Sequence, residues 1–374
     1  MEHAPDEHDE RWYLPILIGG ALLCVVLFGL VNFAVDPLQI HRRASYPAIY
    51  SENQRHQNAG LIRTHDYSTI IVGTSHVENF SPRSIEELTG ERAMKLAIEG
   101  SRAAEQAALV RAAIETGRVK RVIWGLDHLA FRDSPQSPWG DDGLPRYLYE
   151  PSLATIGRYL LSLDTLLLSR DAMLGQGHHD LETLNRWGER SRFGPAHVET
   201  AWQRIRRNVA REKARPGNDF SPTAALTRKK ADFFVGALVR RNPTVRFDLF
   251  FAPYSIVAYL VDHLVSDIEF SERLAFKRSV VELVGGEANV RIFDFQAEQR
   301  VTHDLSRYKD VHHFDARVSD GIVRAMEMGA WQIAPDAYEA RLEEHARQVA
   351  RFMERACRDP ALRAYCIAPG RKTR

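Results

Sequence analysis

Residues 68–80 read STIIVGTSHVENF. Three β-branched residues, Ile70, Ile71 and Val72, run directly into Gly73-Thr74-Ser75-His76. A serine hydroxyl is a weak nucleophile until a base takes its proton, and that base is usually a histidine oriented by a carboxylate. His76 is the nearest base to Ser75, but adjacent side chains on a tight turn usually diverge. A second candidate lies far downstream, in YKDVHHFDARVSDGI (308–322), where Asp310 and His313 are spaced Asp-x-x-His. On a turn, that spacing can return the carboxylate to the imidazole, fix its tautomer and stabilise a developing positive charge. His312 competes with His313, but only His313 stands three residues after Asp310. The plainer readings are a turn that needed small residues at 73–75 and a polar loop with a helix cap at 310–315.

The elements around these residues decide whether they can meet. Short apolar runs at 68–72, 93–98, 119–126, 246–252 and 290–295 are predicted strands. Between them, 101–117 begins on a possible Ser101 cap and ends on Gly117, with Leu109/Ala113 and Val110/Ile114 as i,i+4 pairs. Residues 255–284 and 315–330 are also helical in pattern. Strands alternating with helices predict a parallel sheet covered on both faces. Such sheets hold their sites at the carboxyl ends of strands, where Ser75 falls.

Residues 12–35, WYLPILIGGALLCVVLFGLVNFAV, carry no charged side chain and suit a membrane-spanning helix, which needs about 20 apolar residues. Trp12 and Tyr13 sit at one end, where such rings favour the interface. The acidic start MEHAPDEHDER argues for an uncleaved anchor over a signal peptide. Arg11 precedes the span, whereas Arg42, Arg43, Arg55 and Arg63 follow it, a bias that would keep the C-terminal part in the cytoplasm. The net charge of +1 offers no field for nucleic acid. Of three cysteines, Cys24 lies in the span, and Cys357 and Cys366 lie near the C-terminus and could pair. None falls between Cys24 and Cys357, which leaves no cysteine-based zinc site there and suits an oxidising compartment.

These patterns divide the chain into a tail (1–11), a span (12–35), a juxtamembrane connector (36–65), an α/β domain (66–330) and a charged helical tail (331–374). Residues 133–230 break the rhythm of the domain and read as an inserted cap. It is turn-rich at first, then basic and helical, with Trp187 and Trp202 interleaved. That stretch could grip an anionic chain, or it could be a solvated helix face.

Gly-Thr-Ser after the first strand and Asp-x-x-His after the last resemble the SGNH (GDSL-like) hydrolase superfamily, whose first motif is Gly-Asp-Ser. More narrowly, the pattern is similar to membrane-anchored SGNH-like proteins of bacterial exopolysaccharide modification, of the alginate-acetylation type. The residues are DYSTIIVGTSHVENFSP, LAIEGS, VIWGLD, FFAPYS and DLSRYKDVHHF, within about 66–131 and 245–328. The resemblance implies a flavodoxin-like three-layer fold with a parallel five-stranded sheet, a helical insertion and the N-terminal transmembrane helix. It implies Ser75 as nucleophile, His313 as base and Asp310 as its orienting acid. The N–H groups of Ser75 and Gly100 would form the oxyanion hole. Two positions depart from the pattern. Thr74 replaces the Asp of the first motif, and Gly125-Leu126-Asp127 replaces Gly-x-Asn. An ionised Asp127 only accepts hydrogen bonds, so another group must donate or the hole is incomplete. His76, Asn79, Asp127 and His312 remain candidates for contacting substrate. No cofactor or metal is called for.

The resulting expectation is an acyltransferase or esterase acting on O-acyl groups, acetyl by resemblance, of an exported polysaccharide. It would sit in a bacterial inner membrane with its domain in the periplasm. The alternative is a non-catalytic scaffold in a polysaccharide synthesis or export complex.

Overall fold

A computed structural model describes residues 10–132, 143–150, 152–187, 191–213, 223–266 and 268–367. The turn-rich start of the expected cap (133–142), its segment 214–222, and both chain ends therefore lie outside the described residues. In chain order the principal elements begin with α1 (Glu10–Val35), α2 (Gln54–Thr64), β1 (Thr69–Gly73), α3 (Pro82–Thr89), β2 (Ala93–Ala97), α4 (Ala103–Glu115) and β3 (Arg121–Gly125). They continue with α5 (Leu153–Leu160), α6 (Leu163–Met173), α7 (Pro195–Lys213), β4 (Arg246–Phe251), α8 (Ile256–Val265), α9 (Glu269–Val284), β5 (Val290–Asp294), α10 (Ala316–Glu327) and α11 (Tyr338–Arg358).

The five strands form one sheet in the order β2-β1-β3-β4-β5, every pair parallel. The winding reverses between β1 and β3, the doubly wound order that opens a crevice at the strands' carboxyl ends. Ile70, Ile71 and Val72 on β1, and Val122, Ile123 and Trp124 on β3, are all completely buried. This is why both strands read as unbroken apolar runs rather than as alternation. All five predicted strands appear within two residues of their expected bounds. The helical stretch 255–284 is two helices, because Ser266 adopts extended backbone between α8 and α9.

The amino ends of the strands carry a buried ionic cluster. Arg121 opens β3 and is 1% exposed. Its Nε donates to Asp248 Oδ2 at 2.6 Å, and its guanidinium also bonds Glu327. Arg291 of β5 donates twice to the same Asp248, at 2.7 and 2.9 Å. One carboxylate on β4 thus ties β3 and β5 together from below.

The chain divides into two compact units. One comprises the described residues of Met1–His65 with Leu144–Leu184; the other comprises Asp66–Gly143 and those of Asn185–Arg374. The single insertion expected at 133–230 is therefore split. The reason is a small separate core, in which Leu148 and Tyr159 pack with Leu38, Ile40 and Ala59. Tyr159 donates to Asp36 Oδ1 at 3.0 Å, and Asp36 accepts the N–H groups of Ile40, His41 and Arg42. Residues 36–65 are accordingly folded, with α2 buried along Gln57–Ile62, rather than a bare connector.

In the larger unit the C-terminal segment joins the main core through Val349, Phe352, Ala356 and Tyr365. A disulfide links Cys357 to Cys366 across the end of α11. Trp202 of α7 is completely buried and donates from Nε1 to the Ala364 carbonyl at 2.8 Å. It is a core residue, not a surface grip. Arg204, Arg206 and Arg207 on the same helix are exposed.

Candidate active site

β1 ends at Gly73, where an added Cβ would stand 2.9 Å from Val77 Cγ1 and 3.2 Å from the Gly125 carbonyl oxygen. At Gly125 a Cβ would meet Phe250 and Val77, each at 3.0 Å. These two glycines let a short 3₁₀ turn, Ser75–Val77, tuck against the ends of β1 and β3. Gly-Thr-Ser therefore stops the strand by making room for a turn that begins on Ser75.

His313 reaches that serine from the loop before α10. Ser75 Oγ and His313 Nε2 are 2.7 Å apart. On the other side of the ring, Nδ1 lies 2.8 and 3.0 Å from the two oxygens of Asp310. Asp310 Oδ1 also accepts the N–H groups of His312 and His313, at 2.8 and 2.9 Å. The Asp-x-x-His spacing thus closes a turn on itself. Burial alone would raise the Asp310 carboxyl, but the His313 ring and these two N–H groups outweigh it and hold it well below the usual carboxylate range. An ionised Asp310 only accepts, so Nδ1 carries the ring proton. Nε2 is then the lone-pair nitrogen, and the Ser75 hydroxyl donates to it.

The loop is fixed from two directions. Asn79, fully buried, donates to the Phe314 carbonyl at 3.0 Å. It clamps the serine turn to the histidine loop and is not among the residues that line the cavity beside Ser75. Trp187 stands edge-on to His313 with centroids 5.4 Å apart, and Lys309 Nζ lies 3.9 Å over the indole.

A cavity of about 410 Å³ opens beside Ser75. Thr74, Ser75, His76, Gly100, Asp127 and His313 line it, and Tyr254, His312, Arg102 and Arg132 complete much of the wall. Gly100 turns the chain after β2 with φ +60, a left-handed backbone that suits glycine. The N–H groups of Ser75 and Gly100 have no acceptor among the described residues. Ser101 and Leu129 also line it. Arg132 is held by Glu269 at 2.6 Å.

Asp127 faces the cavity but is occupied. It caps the helix His128–Phe131 by accepting the Leu129 N–H at 3.0 Å, and it accepts the Tyr254 hydroxyl. Its Oδ2 is 3.7 Å from His76 Nδ1. Burial pushes its carboxyl up, but His76, Arg273 and these hydrogen bonds outweigh that and leave it below the usual range. It cannot donate to an oxyanion. Burial drives the other two imidazoles down: His76 to about 3, against the pull of Asp127, and His312 in the same direction, against Asp310. Thr74 Oγ1 and His76 Nδ1 are hydrogen-bonded at 2.8 Å, so Thr74 serves His76.

Tyr254, Arg273 and the role of Trp187 were not evident from motif spacing. Tyr254 at the end of β4 was the one with a signal, a hydroxyl at the carboxyl end of a strand. Arg273 is buried mid-helix, bidentate to Asp262 at 2.7 and 2.9 Å, and lies 5.2 Å over the Tyr254 ring. Among the described residues no group of three or more His, Cys, Asp or Glu could hold a metal ion. No protein-family model matches this sequence and no curated protein matches it, so the chemistry of the site rests on its own geometry.

Proposed function

We propose that this chain is a membrane-anchored SGNH-like enzyme that transfers acyl groups to or from oxygen. The observation that carries this reading is the relay Ser75 Oγ–His313 Nε2 at 2.7 Å and His313 Nδ1–Asp310 Oδ2 at 2.8 Å. His313 takes the serine proton as Ser75 attacks an ester carbonyl, and Asp310 stabilises the imidazolium. The carbonyl oxygen, now anionic, is met by the N–H groups of Ser75 and Gly100. Collapse leaves an acyl-serine and expels the alcohol, which takes the proton from His313. A sugar hydroxyl or water then repeats the steps in reverse. Two backbone donors serve in place of the side-chain donor that Asp127 cannot supply.

The substrate class, an O-acylated, by resemblance O-acetylated, exported polysaccharide, is drawn from the likeness of the motifs. α1 holds an apolar stretch, Trp12–Val35, long enough to cross a membrane. A periplasmic domain on a bacterial inner membrane is supported by the Cys357–Cys366 disulfide, since such bonds persist in oxidising compartments. The arginines after the span argue the other way.

A serine-directed fluorophosphonate tests the reading. The full chain should be labelled at Ser75, and His313→Ala should abolish labelling without unfolding the chain. An unreactive Ser75 in folded protein would leave the relay as a structural clamp and favour the scaffold alternative.

A further inference from the structure

We propose that α5 and α6 form a second membrane contact, a helical hairpin lying in the lipid leaflet around the end of α1. The proposal rests on α1 being a membrane span, and not on the chemistry at Ser75.

Two observations within the smaller unit carry it. The first is how the hairpin holds α1. Asn32 is a fully buried polar residue in the last turns of that apolar helix. Its amide donates to the carbonyls of Leu160 and Ser162 at 2.8 and 3.4 Å, and its oxygen accepts from Ser169 at 2.9 Å. The turn between α5 and α6 is thus tied to α1 inside the span. Leu161 Cδ2 lies 3.4 Å from where a Cβ on Gly29 would be.

The depth follows from helix geometry. Trp12–Val35 has 24 residues, about 36 Å at 1.5 Å per residue. Centred in a hydrocarbon layer of about 30 Å, it projects about 3 Å at each end. Gly29 is six residues before Val35, hence about 9 Å along the axis and about 6 Å inside the layer. Leu161, beside it, is at the depth where interfacial helices bury their apolar faces, about 5–10 Å.

The second observation is what the hairpin shows to the outside. α6 buries Thr165, Ser169 and Ala172. On its opposite side Leu163, Leu167 and Leu174 fall at i, i+4 and i+11, one stripe at 3.6 residues per turn. They are 63%, 43% and 62% exposed, and Leu161 is 53% exposed. Buried polar face and exposed leucine stripe are the reverse of what water selects. Arg170 and Asp171 pair with each other at 2.6 Å on the same surface. Arg42 donates to the Ala34 carbonyl at 2.7 Å at the mouth of the span. Arg170 shares the face of the leucine stripe, and a side chain of its length can reach the headgroup level from a helix in the leaflet.

Nitroxide accessibility tests this in the full chain, reconstituted in phosphatidylethanolamine–phosphatidylglycerol vesicles. Single labels are placed through Leu161→Cys, Leu163→Cys, Leu167→Cys and Leu174→Cys in a Cys24→Ser background, with the disulfide intact. All four positions are exposed, so the fold is retained. Val25→Cys reports the span and Arg204→Cys reports water. The expected result is several-fold greater collision with oxygen relative to a nickel chelate at all four positions than at Arg204→Cys. Nickel access equal to that at Arg204→Cys, with Val25→Cys still protected, overturns the hairpin and leaves the anchor standing. Protection from both reagents, with spectral broadening that unlabelled chain dilutes away, overturns it in favour of a second copy. Nickel access at Val25→Cys overturns the span reading and the hairpin with it.

Discussion

The imidazole of His76 stacks on that of His313, with centroids 5.2 Å apart and planes 15° from parallel. Two charged rings in that arrangement would repel. Burial avoids this by driving His76 down to about 3, so His76 would stay neutral as His313 took the serine proton in the proposed relay. His76→Gln should therefore remove packing but no titrating charge. The rate should fall by well under the roughly 10²–10⁴-fold that a general base is worth. The acid limb of kcat/KM against pH should not move. A limb displaced by His76→Gln would show that the two imidazoles titrate as a pair.

The same burial makes stability pH-dependent. His76 and His128 are both driven down to about 3, chiefly by desolvation. A lowered histidine pKa means that the unfolded chain binds more protons than the folded chain between about 6.5 and 3. The stabilisation from keeping these rings neutral is present above about 6.5 and is lost as pH falls toward 3. Each group contributes up to about 1.4 kcal/mol per pH unit across that window. Denaturant unfolding between pH 7 and 4.5 should show stability falling with acid. His128→Phe, which fills a site beside Phe276, should reduce the slope by about one proton's worth. An unchanged slope would mean that His128 is not neutral in the fold.

The sheet was legible because its strands are buried on both faces, and continuous β-branched and aromatic runs admit few other readings. That Ser75, Asp310 and His313 could meet was legible for a different reason: they sit at opposite ends of the alternating pattern, and the loop after β5, tied to Ser255 at the Val311 carbonyl, crosses the carboxyl ends of the strands to reach Ser75. What spacing could not show was which polar residues point inward. Asn79 was a candidate for contacting substrate, but its side-chain N–H is used on the Phe314 carbonyl. Trp202 looked like a surface aromatic among arginines, but the burial of its face depends on the C-terminal segment 162 positions away. The division of 133–230 was equally hidden. It depends on Tyr159 meeting Asp36, a contact between segments that share no local pattern.

At the amino end of the sheet, Asp248 is fully buried between Arg121 and Arg291. Asp248→Asn keeps the shape but removes the charge that Arg121, Arg291 and, at 3.5 Å, Arg246 share. Breaking a buried ionic pair by removing one partner costs about 3–5 kcal/mol. Urea unfolding in detergent should show a loss of that size, while the folded fraction keeps its reactivity at Ser75 at the other end of the strands. A loss below about 1 kcal/mol would indicate that water or Glu91 and Glu327 already compensate Arg121.

Ser75, His313 and Asp310 form a chain of hydrogen bonds, so their removal should not be additive. Ser75→Ala, His313→Ala and Asp310→Ala should each leave the fold intact and reduce acyl transfer from a model acetyl ester by about 10²–10⁴-fold or more. Ser75→Ala/His313→Ala should be little worse than either single change, because residues that act as a unit lose their contribution together. Asp310→Asn is the finer probe. It keeps the turn but offers His313 Nδ1 a neutral partner, so the ring can turn its lone pair away from Ser75. That variant should lose rate with little change in KM. If the single losses multiplied in the double mutant, Ser75 and His313 would be working separately, and the 2.7 Å contact between them would not be the step that activates the serine.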